Sequence, residues 1–191
     1  KGKKKIYLIN SKKNVGLTAG LNLGYRFCIN QNYDYIARID CDFIITKNYI
    51  EGMLNTMEKN PKIVAASPKI KHGYLRHTIW WYGFTLTWTY LKFQRTMNLK
   101  KKRIIDNSSY SGIISTDAIS GCCSFYRTGV FKLSGLGDED FFLGPEDMEL
   151  SFRLKKFGKL IVNLDLFTFH KIATSSKISG WFIRSYNETI G

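Results

Sequence analysis

Two short acidic patterns in this chain have the composition to hold a cation and to move a proton. In YDYIARIDCDF, the carboxylates Asp40 and Asp42 close an otherwise apolar run. Alternate residues of an extended chain point the same way, so the two are expected to converge. Like charges that close repel unless solvent or a cation offsets them. Magnesium and manganese are often held by one or two carboxylates together with substrate phosphates. The plain alternative is a polar strand end with Asp42 capping a turn. In GPEDMEL, Glu146 and Asp147 sit where a helix is expected to begin. A helix dipole and free backbone N–H groups explain one acid there. As chemistry, Asp147 is a candidate general base for an attacking hydroxyl, with Glu146 orienting it or binding the acceptor. His170, after LFTF, is a candidate third metal ligand, and otherwise a satisfied polar residue. Asp138, Glu139 and Asp140 read as a surface loop.

A glycine-rich stretch, NVGLTAGLNLG from Asn14 to Gly24, lacks both GxGxxG and GxxxxGK[ST], which excludes the dinucleotide and Walker phosphate loops. Its small residues permit close backbone approach, and Asn22 offers both a donor and an acceptor. A turn leading into a helix is the simpler reading.

The elements that must position these groups alternate. Lys4–Asn10 reads as a strand, LTAGLNLGYRFCINQ as a helix with Ala19, Leu23 and Phe27 on its apolar face, and DYIARID as a strand. KNYIEGMLNTMEKN follows as a helix with the stripe Ile50, Met53, Leu54 and Met57, ending before Pro61, and IVAASPKI as a strand. That alternation is the pattern of a parallel sheet covered by helices. SGCCSFYR reads as a strand. GPEDMELSFRLKKFG holds a helix with Met148, Phe152 and Leu154 on its apolar side and Gly158 as its stop. LIVNL is the last strand. Between Lys69 and Tyr110 the pattern is irregular: Trp80, Trp81, Tyr82, Trp88 and Tyr90 precede a basic run from Lys92 to Arg103. Such a domain usually has a strand and helix ahead of Lys4, so the fold is expected to be N-terminally incomplete.

Bulk composition narrows the partners. With 191 residues, 44% hydrophobic and 23% charged, the chain suits one globular domain. Cys28, Cys41, Cys122 and Cys123 show no zinc-ligand spacing and are read as free thiols. No run reaches the length of a spanning helix, and KGKKKIYLIN is not a secretory signal, so a cytoplasmic address is expected. The net charge of +14 suits an anionic partner (nucleic acid, anionic lipid or a phosphorylated substrate) or is only a solvated basic face.

Taken in order, NVGLTAGLNLG, RIDCD, SGCCSFYR, GPEDMELSFRLKKFG and the late Phe169-His170 resemble the family 2 glycosyltransferases of the GT-A fold. Within that family the set is most similar to the bacterial rhamnosyltransferase-like members that build surface polysaccharides, and the resemblance runs from Ile6 to Ser176. It implies an α/β, Rossmann-like, mostly parallel central sheet flanked by helices. It implies one domain with a donor side (1–68), a variable middle (69–119) and an acceptor and catalytic portion (120–191). The implied activity is inverting transfer of a sugar from a nucleotide-diphosphate sugar to a hydroxyl of a saccharide or lipid-linked saccharide. By the same resemblance, Asp40 and Asp42 hold Mn2+ or Mg2+ on the donor diphosphate, Asp42 being the stronger ligand, and His170 joins them. Asp147 is the base, beside Glu146. Asn14, Gly16, Asn22, Gly24 and Asp40 line the donor side, and Gly121 and Cys122 the acceptor side. Trp80 and Trp81 are then expected to stack on acceptor sugars, and the basic run to meet a lipid-linked diphosphate or the inner face of an anionic membrane; the plain alternative is a core aromatic cluster beside a solvated charge run. The rival readings are a nucleic-acid-binding basic module, which the acidic pairs disfavour, and an inactive truncated transferase.

Overall fold

The computed structural model describes residues 5–86 and 104–171. In chain order its elements are α1 (Leu17–Asn30), β1 (Tyr35–Ile39), β2 (Phe43–Ile45), α2 (Tyr49–Glu58), β3 (Ile63–His72), β4 (Thr78–Trp81), β5 (Ile104–Ile105) and β6 (Ile113–Ser115). β7 (Cys123–Arg127), α3 (Phe131–Ser134), α4 (Glu146–Leu154) and β8 (Lys159–His170) complete it. Trp88, Tyr90 and the basic run from Lys92 to Arg103 lie outside the described residues.

The strands form one eight-stranded sheet. β3 is its centre, with eight consecutive buried residues from Ile63 to Ile70, because it pairs with β7 on one side and with β8 on the other. The sheet is mixed, not mostly parallel as the sequence pattern suggests. β3–β8 is its parallel pair, while β1–β7, β2–β8, β3–β4, β3–β7, β4–β5 and β6–β8 are antiparallel. Continuous apolar runs report burial on both faces; they do not report direction. The class, α/β with helices on a central sheet, is as expected.

Two cores lie on opposite faces. One packs α2 through Tyr49, Met53 and Met57 against Ile70, Trp81, Phe125 and Val162. The other joins Tyr25, Ile36, Tyr126, Phe131, Leu150 and Leu154, beneath α1, α3 and α4. β1 serves both by alternation: Ile36 and Arg38 are buried toward the second, while Tyr35 and Ile39 pack against the first.

The helices exist where periodicity puts them, but their buried faces differ. α2 buries Tyr49, Met53, Thr56 and Met57, whereas Ile50 and Leu54 are exposed. The face is set by Tyr49, whose hydroxyl meets the Cys123 thiol in the core. α1 buries Thr18, Asn22 and Tyr25, and Leu23 stays exposed, because this face carries polar bonds to a distant loop. On α4, Leu150, Ser151 and Leu154 are buried and Phe152 is exposed. Residues 5–10 form no strand, and Ile6 and Leu8 are 99% and 92% exposed. An apolar run measures readiness for burial; a strand also needs a neighbour to bond with, and β1 is bonded to β7.

Candidate active site

β1 delivers the first acidic pattern. Its ladder to β7 ends at Ile39, and the Asp40 N–H donates to the Cys122 carbonyl (2.9 Å). The chain then turns at once, with the Phe43 N–H on the Asp40 carbonyl (3.1 Å). Strand alternation therefore stops before Asp42, and the expected convergence of Asp40 and Asp42 is replaced by a split. Asp40 follows Ile36 and Arg38 inward, with its Oδ1 3.4 Å from Arg38 Nε. Asp42 faces β8 instead, its Oδ2 3.1 Å from His170 Nε2.

His170 is held on that spot by packing. Phe43, its cross-strand partner, stacks on the ring at 4.6 Å, and Trp80 meets it edge-on at 4.5 Å. Its Nδ1 is buried without a hydrogen-bond partner among the described residues. Among the described residues nothing on that side fixes the tautomer, so Nε2 is available as a donor to Asp42 or as a lone pair for a cation.

The second pattern opens α4. Asp147 accepts the Gly121 N–H at Oδ2 (3.1 Å) and the Met148 N–H at Oδ1 (2.8 Å). Gly121 is required there, since a Cβ would stand 2.9 Å from the Asp147 Cβ. Glu146 turns the other way. It is buried, with Oε1 3.5 Å from Arg38 Nη2, so it faces the protein and not an acceptor. Burial pushes its carboxyl above the ordinary value, the Asp147 charge adds to that, and Arg38 opposes both. Asp40 is likewise raised, by burial first, with Arg38 opposing and Asp42 adding. Cys122 lies between the two patterns: its thiol is pushed up to about 12 by burial and then by Asp40, with Asp147 and Asp42 contributing against Arg38. The backbone on either side of it links the two patterns: the Cys122 carbonyl takes the Asp40 N–H and the Gly121 N–H goes to Asp147, while Arg38 lies against both Asp40 and Glu146.

The glycine-rich stretch does something else. Asn22 is 1% exposed, and its amide donates to the Gly137 carbonyl (2.8 Å) and to Glu139 (2.9 Å) while its oxygen accepts the Gly137 N–H (3.0 Å). Thr18 donates to the Phe141 carbonyl, and Leu17 N–H to the Phe142 carbonyl. Gly16, at φ 84°, lies where a Cβ would meet the Phe142 ring at 2.6 Å. Asn14 receives the Gly16 N–H in a local turn, and Gly24 faces open space. The stretch thus braces the loop 137–143 that leads into Glu146 and Asp147. With that, Glu139 of the acidic loop is a bonded partner of Asn22 and Arg26.

The aromatic pair divides too. Trp81 is 5% exposed within the core, so it cannot stack on a sugar as expected; β4 alternation sends it inward. Trp80 is half-buried against His170. Arg38 is the residue the sequence reading passed over. Its signal was a lone charge inside an apolar strand, two positions before Asp40.

Asp40, Asp42 and His170 do not form a three-ligand cage, and among the described residues no three His, Cys, Asp or Glu side chains do. Asp42 and His170 alone fit a cation. Their 3.1 Å separation matches the edge between neighbouring ligands of an octahedron with bonds of about 2.1 Å, and such ions leave other positions to water and phosphate.

Comparison with known proteins bears on family and fold. The sequence model of glycosyl transferase family 2 matches residues 1–130. The crystal structure of GalNAc-T7 with UDP, GalNAc and Mn2+ superposes with a TM-score of 0.61 at 16% identity, over 90% of this chain. The chain spans 32% of that protein's length, and at this identity the match speaks for the fold alone. No curated protein matches the chain.

Proposed function

The chain belongs to glycosyl transferase family 2, and from that premise we propose that its site moves a glycosyl group from a nucleoside-diphosphate sugar to a hydroxyl acceptor with inversion. The observation that supports the reading is that the chain at Gly121–Cys122 is bonded both to Asp147, through the Gly121 N–H, and to the Asp40 end of the strand that leads to the Asp42–His170 pair. Asp42 and His170 would hold Mn2+ or Mg2+, which supplies positive charge to a departing diphosphate. Asp42 keeps its carboxylate at the strand tip, and Phe43 and Trp80 hold the His170 ring to it.

Asp147 takes the proton. The acceptor oxygen forms its bond to the anomeric carbon, the bond from that carbon to the diphosphate oxygen breaks, and the hydroxyl proton passes to the Asp147 carboxylate. One displacement of this kind inverts the configuration. Both Asp147 oxygens already accept a backbone N–H, which fixes the carboxylate plane while leaving a lone pair on each. Asp40 and Glu146 sit behind this pair and face Arg38. A saccharide or lipid-linked saccharide of a surface polysaccharide is the acceptor class we favour, because the excess of 29 Lys and Arg over 15 Asp and Glu suits an anionic lipid carrier and a membrane surface. Among the described residues no helix is long and apolar enough to cross a membrane.

The test is a thermal-shift screen of UDP-, GDP- and dTDP-sugars with and without Mn2+, followed by transfer assays on whichever donor stabilises the protein. One donor class is expected to give a shift that needs the metal. Absence of any Mn2+-dependent shift across all three bases removes the reading, and pelleting with anionic vesicles that does not differ from neutral ones removes its membrane part.

A further inference from the structure

Arg38 is 7% exposed, and its side chain reaches two carboxylates on different elements. Nε lies 3.4 Å from Asp40 at the end of β1, and Nη2 lies 3.5 Å from Glu146 in the first turn of α4. A guanidinium presents donors in a rigid fork, so it can hold two carboxylates in a fixed mutual position; an ammonium is a point charge and cannot. Tyr25 and Tyr126 are buried beside the group, close enough for the guanidinium charge to act on both phenols.

Helix geometry makes that contact consequential. Successive residues of an α-helix project about 100° apart. With Glu146 drawn inward to Arg38, Asp147 is turned to the side where the Gly121 N–H meets its Oδ2. Loss of the inward anchor frees the first turn of α4 to rotate, and Asp147 moves with it although it does not touch Arg38.

We propose that Arg38 is a positioning residue for glycosyl transfer: a buried fork, seated on Asp40 and Glu146, that sets the orientation of the Asp147 carboxylate and ties it to the donor-side strand. The proposal rests on Asp147 being the base. It assigns Glu146 as the link between the fork and Asp147, and not as a group that touches the acceptor.

The experiment uses the full chain as wild type, Arg38→Lys, Glu146→Gln and the double variant, with Arg38→Met as the harsher change that risks the fold by leaving buried carboxylates unpaired. Calorimetry with Mn2+ and UDP, GDP or dTDP, whichever the wild type binds, reports the donor side. Steady-state kinetics on the donor found above report transfer. Arg38→Lys is expected to bind nucleotide within about threefold of wild type while kcat falls tenfold or more, because charge is kept and the fork is lost. Glu146→Gln is expected to give a similar split, and the double variant to be no worse than the poorer single one, since the two act as a unit. A purely structural Arg38 predicts equal losses of binding and kcat, or multiplicative losses in the double variant. Either result, or an Arg38→Lys enzyme with wild-type kcat, overturns the proposal.

Amide exchange supplies a readout that needs no activity. In Arg38→Lys, the amides of residues 146–148 are expected to exchange at least tenfold faster while those of Ile161 and Val162 in β8 stay unchanged. A wild type that transfers from no donor ends the reading of Asp147 as base; unchanged exchange at 146–148 ends the role of Arg38.

Discussion

The two acidic patterns are built alike and finished differently. Each splits into an inner and an outer carboxylate. The inner ones, Asp40 and Glu146, share the buried Arg38, and both carboxyls are raised, by burial in the first place. The outer ones face the site, but Asp42 is met by a side chain, the His170 ring, whereas Asp147 is met by backbone N–H groups. A ring nitrogen held beside a carboxylate can bind a cation together with it. A backbone partner holds its carboxylate where it is. The first arrangement suits a ligand and the second a base whose direction must not change.

The sharpest way to break this contrast is to neutralise each outer carboxylate. Asp147→Asn keeps shape and removes the base; transfer is expected to fall by about 10²–10⁴-fold with Mn2+-dependent nucleotide binding intact. Asp42→Asn is expected to weaken that binding by about 10–100-fold, the scale typical of damage to a metal site. Calorimetry beside kinetics separates the two. If both substitutions cut binding equally, the outer carboxylates do one job and the contrast fails. Gly121→Ala is the finer version. Its methyl must displace the Asp147 carboxylate, so kcat is expected to fall about tenfold, with stability lowered by about 1–3 kcal/mol from overpacking. Wild-type kcat in a folded Gly121→Ala variant would show that Asp147 need not stand where Gly121 admits it.

The brace behind Asp147 gives a smaller effect. Asn22→Ala leaves the Gly137 N–H and carbonyl unsatisfied in a partly buried place and is expected to lower stability by about 1–3 kcal/mol in urea melts. Gly24, two residues along the same helix, faces open space, and Gly24→Ala is expected to raise stability by up to about 1 kcal/mol on helix propensity. Equal effects at both positions would mean that the glycine-rich stretch is ordinary helix and braces nothing.

How much of this was legible follows from what each cue measures. Element positions were readable because periodicity and breakers are local: α1, α2, α4, β1, β3 and β7 fall where their patterns lie. Strand direction and the buried face of α1 were not, because both depend on partners far along the chain; Asn22 is buried for bonds to residue 137, which no helical period encodes. The order of the motifs pointed to the family whose model matches residues 1–130. The split of each acidic pair stayed hidden, because it turns on a turn beginning at Asp40 and on Arg38, whose two contacts come from different elements. Gly121 was legible as a small residue beside the site, but its reason, the Asp147 carboxylate against it, was not.

The smallest expected effect comes from a third acidic site with the reverse stoichiometry. Around Arg38 one cation serves two carboxylates; at Asp106 one carboxylate serves two cations, Lys69 Nζ at 2.7 Å and Lys71 Nζ at 2.5 Å. Burial alone would raise the Asp106 carboxyl, but the bonds from Lys69 and Lys71 outweigh it and hold it below its ordinary value. A lowered carboxyl contributes stability above its unfolded value, about 3.9, and that stability is lost as pH falls through the lower folded value. Glu146, being raised, does the opposite: its ionisation costs the fold as pH rises from its unfolded value, about 4.3, through the higher folded one. Urea melts across this range should therefore show Asp106→Asn losing ground to the wild type as pH rises, and Glu146→Gln gaining it. Slopes of the same sign would mean that Arg38 satisfies Glu146 as fully as the two lysines satisfy Asp106, and that one guanidinium is enough for the pair of inner acids.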